Sequence, residues 1–144
     1  MAKAEYSQTV DVPLEKFFDT IVGYENYPQF VEGCKKVEVE RKAAGHAVVK
    51  YHVSMMKDLW YRLEQTEDRA SGKMSWKLID SDTLKSNVGE WTLKPGKNPN
   101  QTDIDYKLDI EFNIPVPGFI LSKLVKGSLP AMVKSFEKFA KTGK

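Results

Sequence analysis

The histidines and the single cysteine are the residues of this sequence that most often carry metal or nucleophilic chemistry. His46 and His52 lie on the same face of one predicted strand, and a rise of about 3.3 Å per residue separates them by about 20 Å. Two ligands of one metal ion cannot be that far apart. Cys34 has no histidine beside it in a recognisable motif, so a Cys-His catalytic pair is not indicated. We expect no metal site, no cofactor and no catalytic residue of these types.

Hydroxyl and carboxylate chemistry has little support either. Ser54, Ser86 and Ser128 lack the residues of a nucleophile elbow. Carboxylates alternate outward along nearly every predicted strand, including Glu64 and Glu90. Paired acid-base catalysis is therefore not predicted.

A group of aromatic and polar side chains is expected to face the interior of the sheet. A buried hydroxyl or amide without a partner costs about 1–3 kcal/mol, so each of them needs one. A ligand or water in a cavity would provide it, and so would the backbone in an ordinary core. Gly89 in this group fits a β-bulge or a point where a ligand approaches the backbone. The group consists of Tyr51, Tyr61, Trp76, Asn87, Gly89, Trp91 and Tyr106.

Composition limits the classes of protein to consider. The 144 residues suit a single domain over 1–144, and 41% hydrophobic with 29% charged residues indicates a globular chain. A formal charge of +2 is too small to predict nucleic-acid binding, so no DNA partner is expected. One cysteine suits a reducing compartment, and no signal-peptide or membrane-spanning pattern is present. We expect a cytoplasmic protein.

The elements that position these residues can be read from hydrophobic periodicity. Residues 3–12 alternate as a strand, a helix follows Pro13 and ends at Gly23, and residues 24–31 suggest a second short helix. Six strands with turn signals between them come next, ending in the regular alternation of 102–112. The tail is helical with one broad apolar stripe, which Gly127 and Pro130 interrupt, so we expect a kink or two helices with Ser128 capping the second.

This order predicts an α+β fold. A seven-stranded antiparallel curved sheet would wrap around a long C-terminal helix, with two short helices between strands 1 and 2. A single helix cannot fill the concave side of such a sheet unless large side chains do so. We therefore expect either a cavity or a solid core between them.

The same order resembles the START-like helix-grip superfamily, in particular its polyketide cyclase/dehydrase and coenzyme-Q-binding branch. The resemblance covers essentially the whole chain and rests on Tyr27, Pro28 and Phe30 after a short helix, on Trp91 in the sixth strand, and on aromatic residues near the end of the terminal helix (Phe136, Phe139). It implies a deep cavity for a lipid, quinone or polyketide-like molecule. The segment before Trp91 lacks the Gly-Pro-Phe of quinone-binding members, which weakens the case for a quinone.

The predicted site has three parts. The cavity lining comprises the inward group above together with Leu108, Leu121, Val125, Met132 and Phe136. Met55, Met56, Val116 and Phe119 lie on two adaptable apolar loops and are predicted to form a portal. Tyr24, Tyr27 and Phe30 are predicted to close the open end of the sheet as a plug and one wall of the cavity.

Lysines follow the polar side of the terminal helix. They form either a solvated face or a surface for transient contact with an anionic membrane. These residues are Lys123, Lys126, Lys134, Lys138 and Lys141.

The leading hypothesis is binding or transport of a hydrophobic or amphipathic small molecule in this cavity. The alternative is a polyketide aromatase/cyclase, in which Tyr51, Tyr61, Tyr106 or Asn87 would orient the substrate and handle protons. A third hypothesis is an interaction module for the ribosome or another protein. Whether the protein is an enzyme stays open, with binding preferred.

Overall fold

The computed structural model of the protein describes residues 2–55, 57–123 and 129–143. Strand β1 (Ala2–Val10) is followed by helix α1 (Leu14–Val22), a 3₁₀ turn (Tyr24–Asn26) and the short helix α2 (Tyr27–Phe30). Six further strands follow in sequence: β2 (Cys34–Ala43), β3 (His46–Met55), β4 (Lys57–Asp68), β5 (Lys73–Ser81), β6 (Leu84–Pro95) and β7 (Thr102–Phe112). The chain ends in α3 (Gly118–Ser122) and α4 (Leu129–Thr142).

The strands form one antiparallel sheet in the order β1-β7-β6-β5-β4-β3-β2. Strands β2 to β7 are consecutive hairpins, and β1 returns to pair with β7, with Tyr6 opposite Tyr106. The sheet curves, and α4 packs on its concave face. This confirms the predicted helix-grip fold, including the two short helices between the first two strands.

Alternating hydrophobicity decides which face of each strand is buried. In β7, Ile104, Tyr106 and Ile110 are buried, while Asp103 and Lys107 are exposed. A β-strand points successive side chains to opposite faces, so this pattern selects one register.

The outer face of the sheet carries ion pairs between neighbouring strands. Arg62 pairs with Asp80 at 2.6 Å and Lys77 with Glu64 at 3.3 Å. His46 lies 3.4 Å from Glu64 and His52 lies 2.7 Å from Glu38, so both histidines are on this outer face.

Helix α1 is amphipathic and buries Phe17, Phe18 and Ile21. Pro13 precedes its first turn, where a missing backbone N–H costs nothing, and Gly23 ends it. The Phe17 ring meets the Trp91 ring edge-on at 5.7 Å, so α1 covers part of the inner face of β6. The remaining inner face is left to α4.

The terminal helical region contains α3 and α4 rather than one described helix. The residues between Lys123 and Leu129, which include Gly127 and Ser128, lie outside the described residues, so the expected kink and cap are not described. Helix α4 buries Leu129, Val133, Phe136 and Ala140 against the sheet and α1. None of the described helices has the length and apolar character needed to cross a membrane.

An inward carboxylate closes one end of the sheet. The Tyr24 hydroxyl donates to Glu67 Oε2 at 2.5 Å, and Arg41 Nη1 donates to both Glu67 oxygens at 3.0 and 2.9 Å. Arg41 Nη2 also donates to the Val22 carbonyl at the end of α1. These contacts join the helical segment after β1 to β2 and β4. We call Tyr24, Arg41 and Glu67 the Glu67 cluster.

Candidate ligand-binding cavity

A cavity of about 370 Å³ lies between the concave face of the sheet and α4. Its volume falls within the range of about 300–1,000 Å³ that is typical of small-molecule sites. Strands β3 to β7 contribute most of its walls, and Leu129, Met132 and Phe136 of α4 form its roof. Glu32, Ser54 and Ala131 line it and are also exposed to solvent, which marks the mouth between the start of β2, the end of β3 and the start of α4.

The structure brings most of the predicted lining residues to this one space. They come from five strands and α4; alternation had placed the strand residues inward, and the apolar stripe of the terminal helix had placed the other two. Those that line the cavity are Tyr51, Tyr61, Trp76, Asn87, Trp91, Tyr106, Leu108, Met132 and Phe136. Val125 and the side chain of Leu121 lie outside the described part of the chain.

Aromatic rings make up much of the wall. Tyr106 contacts Trp91 at 4.8 Å and Trp76 at 5.6 Å between ring centroids, and Trp91 meets Phe136 at 5.2 Å. Tyr51 stacks on Tyr61 at 5.1 Å. These edge-to-face and stacked contacts restrict the rotamers of the rings. The rings therefore form a preformed apolar surface. The third tryptophan, Trp60, lies outside this array, under the ammonium of Lys50 at 4.8 Å.

Two buried amides have different uses. Gln65 accepts a hydrogen bond from the Tyr51 hydroxyl through Oε1, and its Nε2 contacts Met74 Sδ at 3.3 Å. Asn87 accepts a hydrogen bond from Trp76 Nε1 at 2.9 Å through Oδ1. Gln65 is thus engaged through both ends of its amide, and Asn87 through its oxygen.

Four polar side-chain atoms in the wall away from the mouth have no hydrogen-bond partner among the described residues: Tyr61 Oη, Tyr106 Oη, Trp91 Nε1 and Asn87 Nδ2. Each belongs to a lining residue and retains some accessible surface, so each faces the cavity. Burial raises the pKa of Tyr61 and of Tyr106 well above the ordinary value of 10.0. Both hydroxyls are therefore protonated at neutral pH. They can donate or accept hydrogen bonds but cannot act as bases.

Cys34 lines the cavity near its mouth and is buried, 8% exposed. Burial raises the pKa of its thiol from 9.0 to about 11. At neutral pH it is a neutral, weakly polar part of the wall rather than a nucleophile, because the thiolate is the reactive species.

Gly89 has a different role from the one the sequence suggested. Its pairing with Trp76 on one side and Leu108 on the other is continuous, so there is no bulge at this position. A Cβ on Gly89 would lie 2.3 Å from Trp76 Cζ2 and 2.5 Å from the Lys107 carbonyl oxygen. The residue that approaches the backbone is the Trp76 indole, not a ligand. Gly89 is absent from the cavity lining and instead allows Trp76 to lie flat across the sheet.

The three residues of the predicted plug each make different contacts. Tyr27 lines the cavity, donates its hydroxyl to the Ile21 carbonyl and meets Phe136 at 5.3 Å. Phe30 stacks on Phe139 of α4 at 4.3 Å, and Tyr24 belongs to the Glu67 cluster. Only Tyr27 of the three is placed in the cavity wall; the other two fasten α2 and the preceding turn to α4 and to the sheet.

The predicted portal is described only in part. Met56 lies outside the described residues, as does the side chain of Met55, although Ser54 beside them lines the mouth. In the segment after β7, Val116 is half-buried and Phe119 is 78% exposed. Among the helix lysines, Lys123, Lys134 and Lys138 are exposed, Lys141 lies 3.7 Å from Glu137 Oε2, and Lys126 is outside the described residues.

Several lining residues were missed by sequence reasoning. Gln65 alternates in phase with Tyr61, and Met74 with Trp76, so alternation was a sufficient signal for both, but they were not assigned to the cavity. The mouth residues had no signal, because three separate segments meet there. The residues missed are Val31, Glu32, Gly33, Cys34, Val53, Ser54, Leu63, Gln65, Met74, Ile110, Leu129, Ala131 and Ser135.

Comparison with known proteins is consistent with this geometry. The family model described as "Polyketide cyclase / dehydrase and lipid transport" matches residues 10–137. The fold is similar to that of the ZhuI aromatase/cyclase from Streptomyces sp. R1128, with a TM-score of 0.85 and 15% identity over 97% of this chain and 93% of that one. A START superfamily protein from Mycobacterium smegmatis gives 0.85 and 18% identity, covering 99% of both chains.

A third structure, TTHA0849 from Thermus thermophilus, gives a TM-score of 0.86 at 16% identity and covers 99% of both chains. At these identities the likeness establishes the fold alone. No curated protein matches the sequence.

Proposed function

Since the chain belongs to the polyketide cyclase/dehydrase and lipid transport family, we propose that it binds and carries a hydrophobic or amphipathic small molecule in the cavity under α4. The observation that supports this most directly is an aromatic cavity of about 370 Å³ whose wall holds polar atoms without partners among the described residues. Ligand burial there would contribute about 25 cal/mol per Å² of apolar area, and the polar atoms would orient the ligand.

The lining favours binding over catalysis. A cyclase of the proposed alternative kind needs a group that takes a proton from an enolisable carbon. Among the described lining residues there is no histidine, lysine or arginine, and the one carboxylate, Glu32, is exposed at the mouth. The hydroxyls of Tyr61 and Tyr106 stay protonated, so they can orient a substrate or donate a proton but cannot remove one. The proposal is therefore a carrier, with cyclase activity as the outcome that would replace it.

Native mass spectrometry of the protein purified from its own host tests the proposal. A co-purifying apolar molecule of the size of the cavity is expected, released when the protein is denatured. The variant Ala131→Trp places a large ring at the mouth and should abolish co-purification. Lys134→Trp changes an exposed residue of the same helix that does not line the cavity, and should retain the ligand.

A turnover assay distinguishes a carrier from the alternative, a polyketide cyclase. Incubation with a poly-β-ketone should leave it unchanged apart from its spontaneous cyclisation. Accelerated, regioselective cyclisation that is lost in Tyr61→Phe or Tyr106→Phe would establish the enzyme instead. Absence of any co-purifying molecule, together with co-sedimentation with ribosomes, would favour an interaction module.

Exposed lysines and Phe119 support a second part of the proposal, namely contact with an anionic membrane during loading. Lys123, Lys134 and Lys138 are exposed, and a lysine near an anionic surface contributes about 1 kcal/mol. Co-sedimentation with phosphatidylserine-containing vesicles should weaken in Lys134→Glu/Lys138→Glu and not in Lys94→Glu/Lys97→Glu, which makes the same charge change at the end of β6 and in the loop after it. Equal binding by both variants, or no preference over pure phosphatidylcholine, would refute the contact.

A further inference from the structure

The charge of the cavity wall restricts what can enter. Among the described lining residues only Glu32 carries a formal charge, and it is exposed to solvent at the mouth. An ionised ligand group inside would lose its hydration without gaining an opposite charge, which is strongly unfavourable. A fatty-acid carboxylate or a phosphate therefore has no place to be neutralised in the described interior. The occupant must be uncharged where it is buried.

The hydrogen bond between Trp76 and Asn87 fixes the orientation of the Asn87 amide. An indole N–H can only donate, so the Asn87 atom that it contacts at 2.9 Å must be the oxygen. The amide nitrogen, which can only donate, is then the end of Asn87 that faces the cavity without a partner among the described residues. Whatever lies against it must accept a hydrogen bond.

Among the remaining polar atoms of the wall, only the indole N–H of Trp91 competes for this role. Gln65 already uses both ends of its amide, with Tyr51 and Met74. The hydroxyls of Tyr61 and Tyr106 can rotate and either donate or accept, so they do not select one polarity. Asn87 Nδ2 and Trp91 Nε1 are the two fixed donors in the described wall. Asn87 is the more accessible of the two, at 5% exposed against 2% for Trp91, and at 5% water from bulk solvent does not reach it freely.

We infer that the ligand is an uncharged molecule with a hydrogen-bond-accepting oxygen, most simply an aryl ketone or other carbonyl compound, and that Asn87 Nδ2 receives that oxygen while Trp76 holds the amide in place. This inference rests on the proposed function and deepens it, because it specifies the chemical class of the ligand and the residue that orients it.

Three probes of one shape test the inference: 2-acetylnaphthalene, which is a neutral ketone, 2-ethylnaphthalene, which lacks the oxygen, and 2-naphthoate, which is charged at neutral pH. Isothermal titration calorimetry should rank the ketone first, about fivefold tighter than the hydrocarbon, as one hydrogen bond of about 1 kcal/mol gives. Naphthoate should bind weakest at neutral pH and gain affinity as the pH falls toward its pKa, because only the protonated acid enters.

The variant Asn87→Leu keeps the volume and removes the donor. The ketone should then lose its advantage over the hydrocarbon, while Asn100→Leu, the same change at an exposed asparagine that does not line the cavity, should preserve the ratio. A measurement on the unmodified protein covers the case in which Asn87→Leu does not fold. The side-chain amide NMR signals of Asn87 should shift on adding the ketone and stay in place on adding the hydrocarbon.

The outcomes separate the two levels of the proposal. If none of the three probes binds, the carrier function itself is wrong and the inference falls with it. If the probes bind but naphthoate equals the ketone at neutral pH, the requirement for an uncharged ligand is overturned. If the ketone keeps its advantage in Asn87→Leu, or leaves the Asn87 amide signals unmoved, the assignment of Asn87 is overturned and the carrier function stands.

Discussion

The Tyr24 hydroxyl and the Glu67 carboxylate are joined by a hydrogen bond of 2.5 Å across 43 residues of sequence. The same carboxylate accepts two hydrogen bonds from Arg41, so one inward acid on β4 ties the turn after α1 to β2, across the intervening strand β3. The Glu67 side chain is only 11% exposed, which makes the Glu67 cluster different from the ion pairs on the outer face. The cluster closes the sheet on the side away from the cavity mouth and is structural.

Glu67→Gln should lower the free energy of unfolding by about 1–3 kcal/mol, because the buried Tyr24 hydroxyl and the Arg41 guanidinium lose a charged partner whose side chain is only 11% exposed. Urea denaturation measures the effect. Glu64→Gln removes the pairs of Glu64 with Lys77 and His46 on the outer face and should change stability by less than about 1 kcal/mol. Equal losses in the two variants would contradict a special role for the Glu67 cluster.

Alkaline pH should destabilise the fold through its buried tyrosines. Burial raises the pKa of Tyr24, Tyr27, Tyr51, Tyr61 and Tyr106 above the ordinary value of 10.0. Above pH 10.0 the unfolded chain therefore holds fewer protons than the folded one, and the free energy of unfolding falls as pH rises. Below that value these groups are protonated in both states and add no pH dependence.

An alkaline titration followed by tyrosinate absorbance and circular dichroism measures the ionisation of the tyrosines and the loss of structure together. Loss of structure should coincide with ionisation of the buried tyrosines. The double variant Tyr61→Phe/Tyr106→Phe should flatten the alkaline fall in stability. Ionisation of all tyrosines at their ordinary pKa without unfolding would contradict the prediction.

Gly89→Ala should lower the free energy of unfolding by about 1–3 kcal/mol, because the new methyl group would overlap the Trp76 indole and the Lys107 carbonyl. It should also weaken ligand binding, because the indole that holds Asn87 must move. Gly118→Ala is the matched control: no atom of the described residues lies within 4 Å of the added Cβ, so stability should stay within about 0.5 kcal/mol. An unchanged unfolding midpoint in Gly89→Ala would show that Trp76 moves without cost.

The Cys34 thiol should react slowly with a disulfide reagent at neutral pH, because its pKa is about 11 and it lies inside the cavity. The reaction rate should rise with pH and fall further when a ligand occupies the cavity. In Cys34→Ser/Ser54→Cys the thiol moves to the exposed mouth and should react at the rate of a free thiol. Fast modification of wild-type Cys34 at neutral pH would contradict its placement.

Local periodicity was enough to predict the fold and the aromatic part of the cavity wall. In a strand such as β7, period-two alternation states directly which side chains point inward, and this needs no knowledge of partner strands. The role of Gly89 could not be predicted in this way. It depends on Trp76 lying opposite Gly89 in β5, and the register between two strands cannot be read from the periodicity of either strand alone.

The residues of the cavity mouth could not be predicted from the sequence. Glu32, Ser54 and Ala131 are far apart in sequence and have neither a common pattern nor an unusual residue type. They meet because the sheet curves and α4 starts above its edge. The inward position of Glu67 follows from the same alternation as that of Leu59 and Leu63. A carboxylate on the inner face is favourable, however, only because the fold brings Arg41 of β2 and Tyr24 of the turn after α1 into contact with it.

The distribution of the three tryptophans has a practical consequence. Trp76 and Trp91 line the cavity, whereas Trp60 lies against Lys50 apart from it. Two of the intrinsic fluorophores therefore lie in the cavity wall, and the third is a built-in reference in the same molecule. Emission from the unlabelled protein should report whether the site is filled, and Trp60→Phe should make that signal cleaner without touching the site.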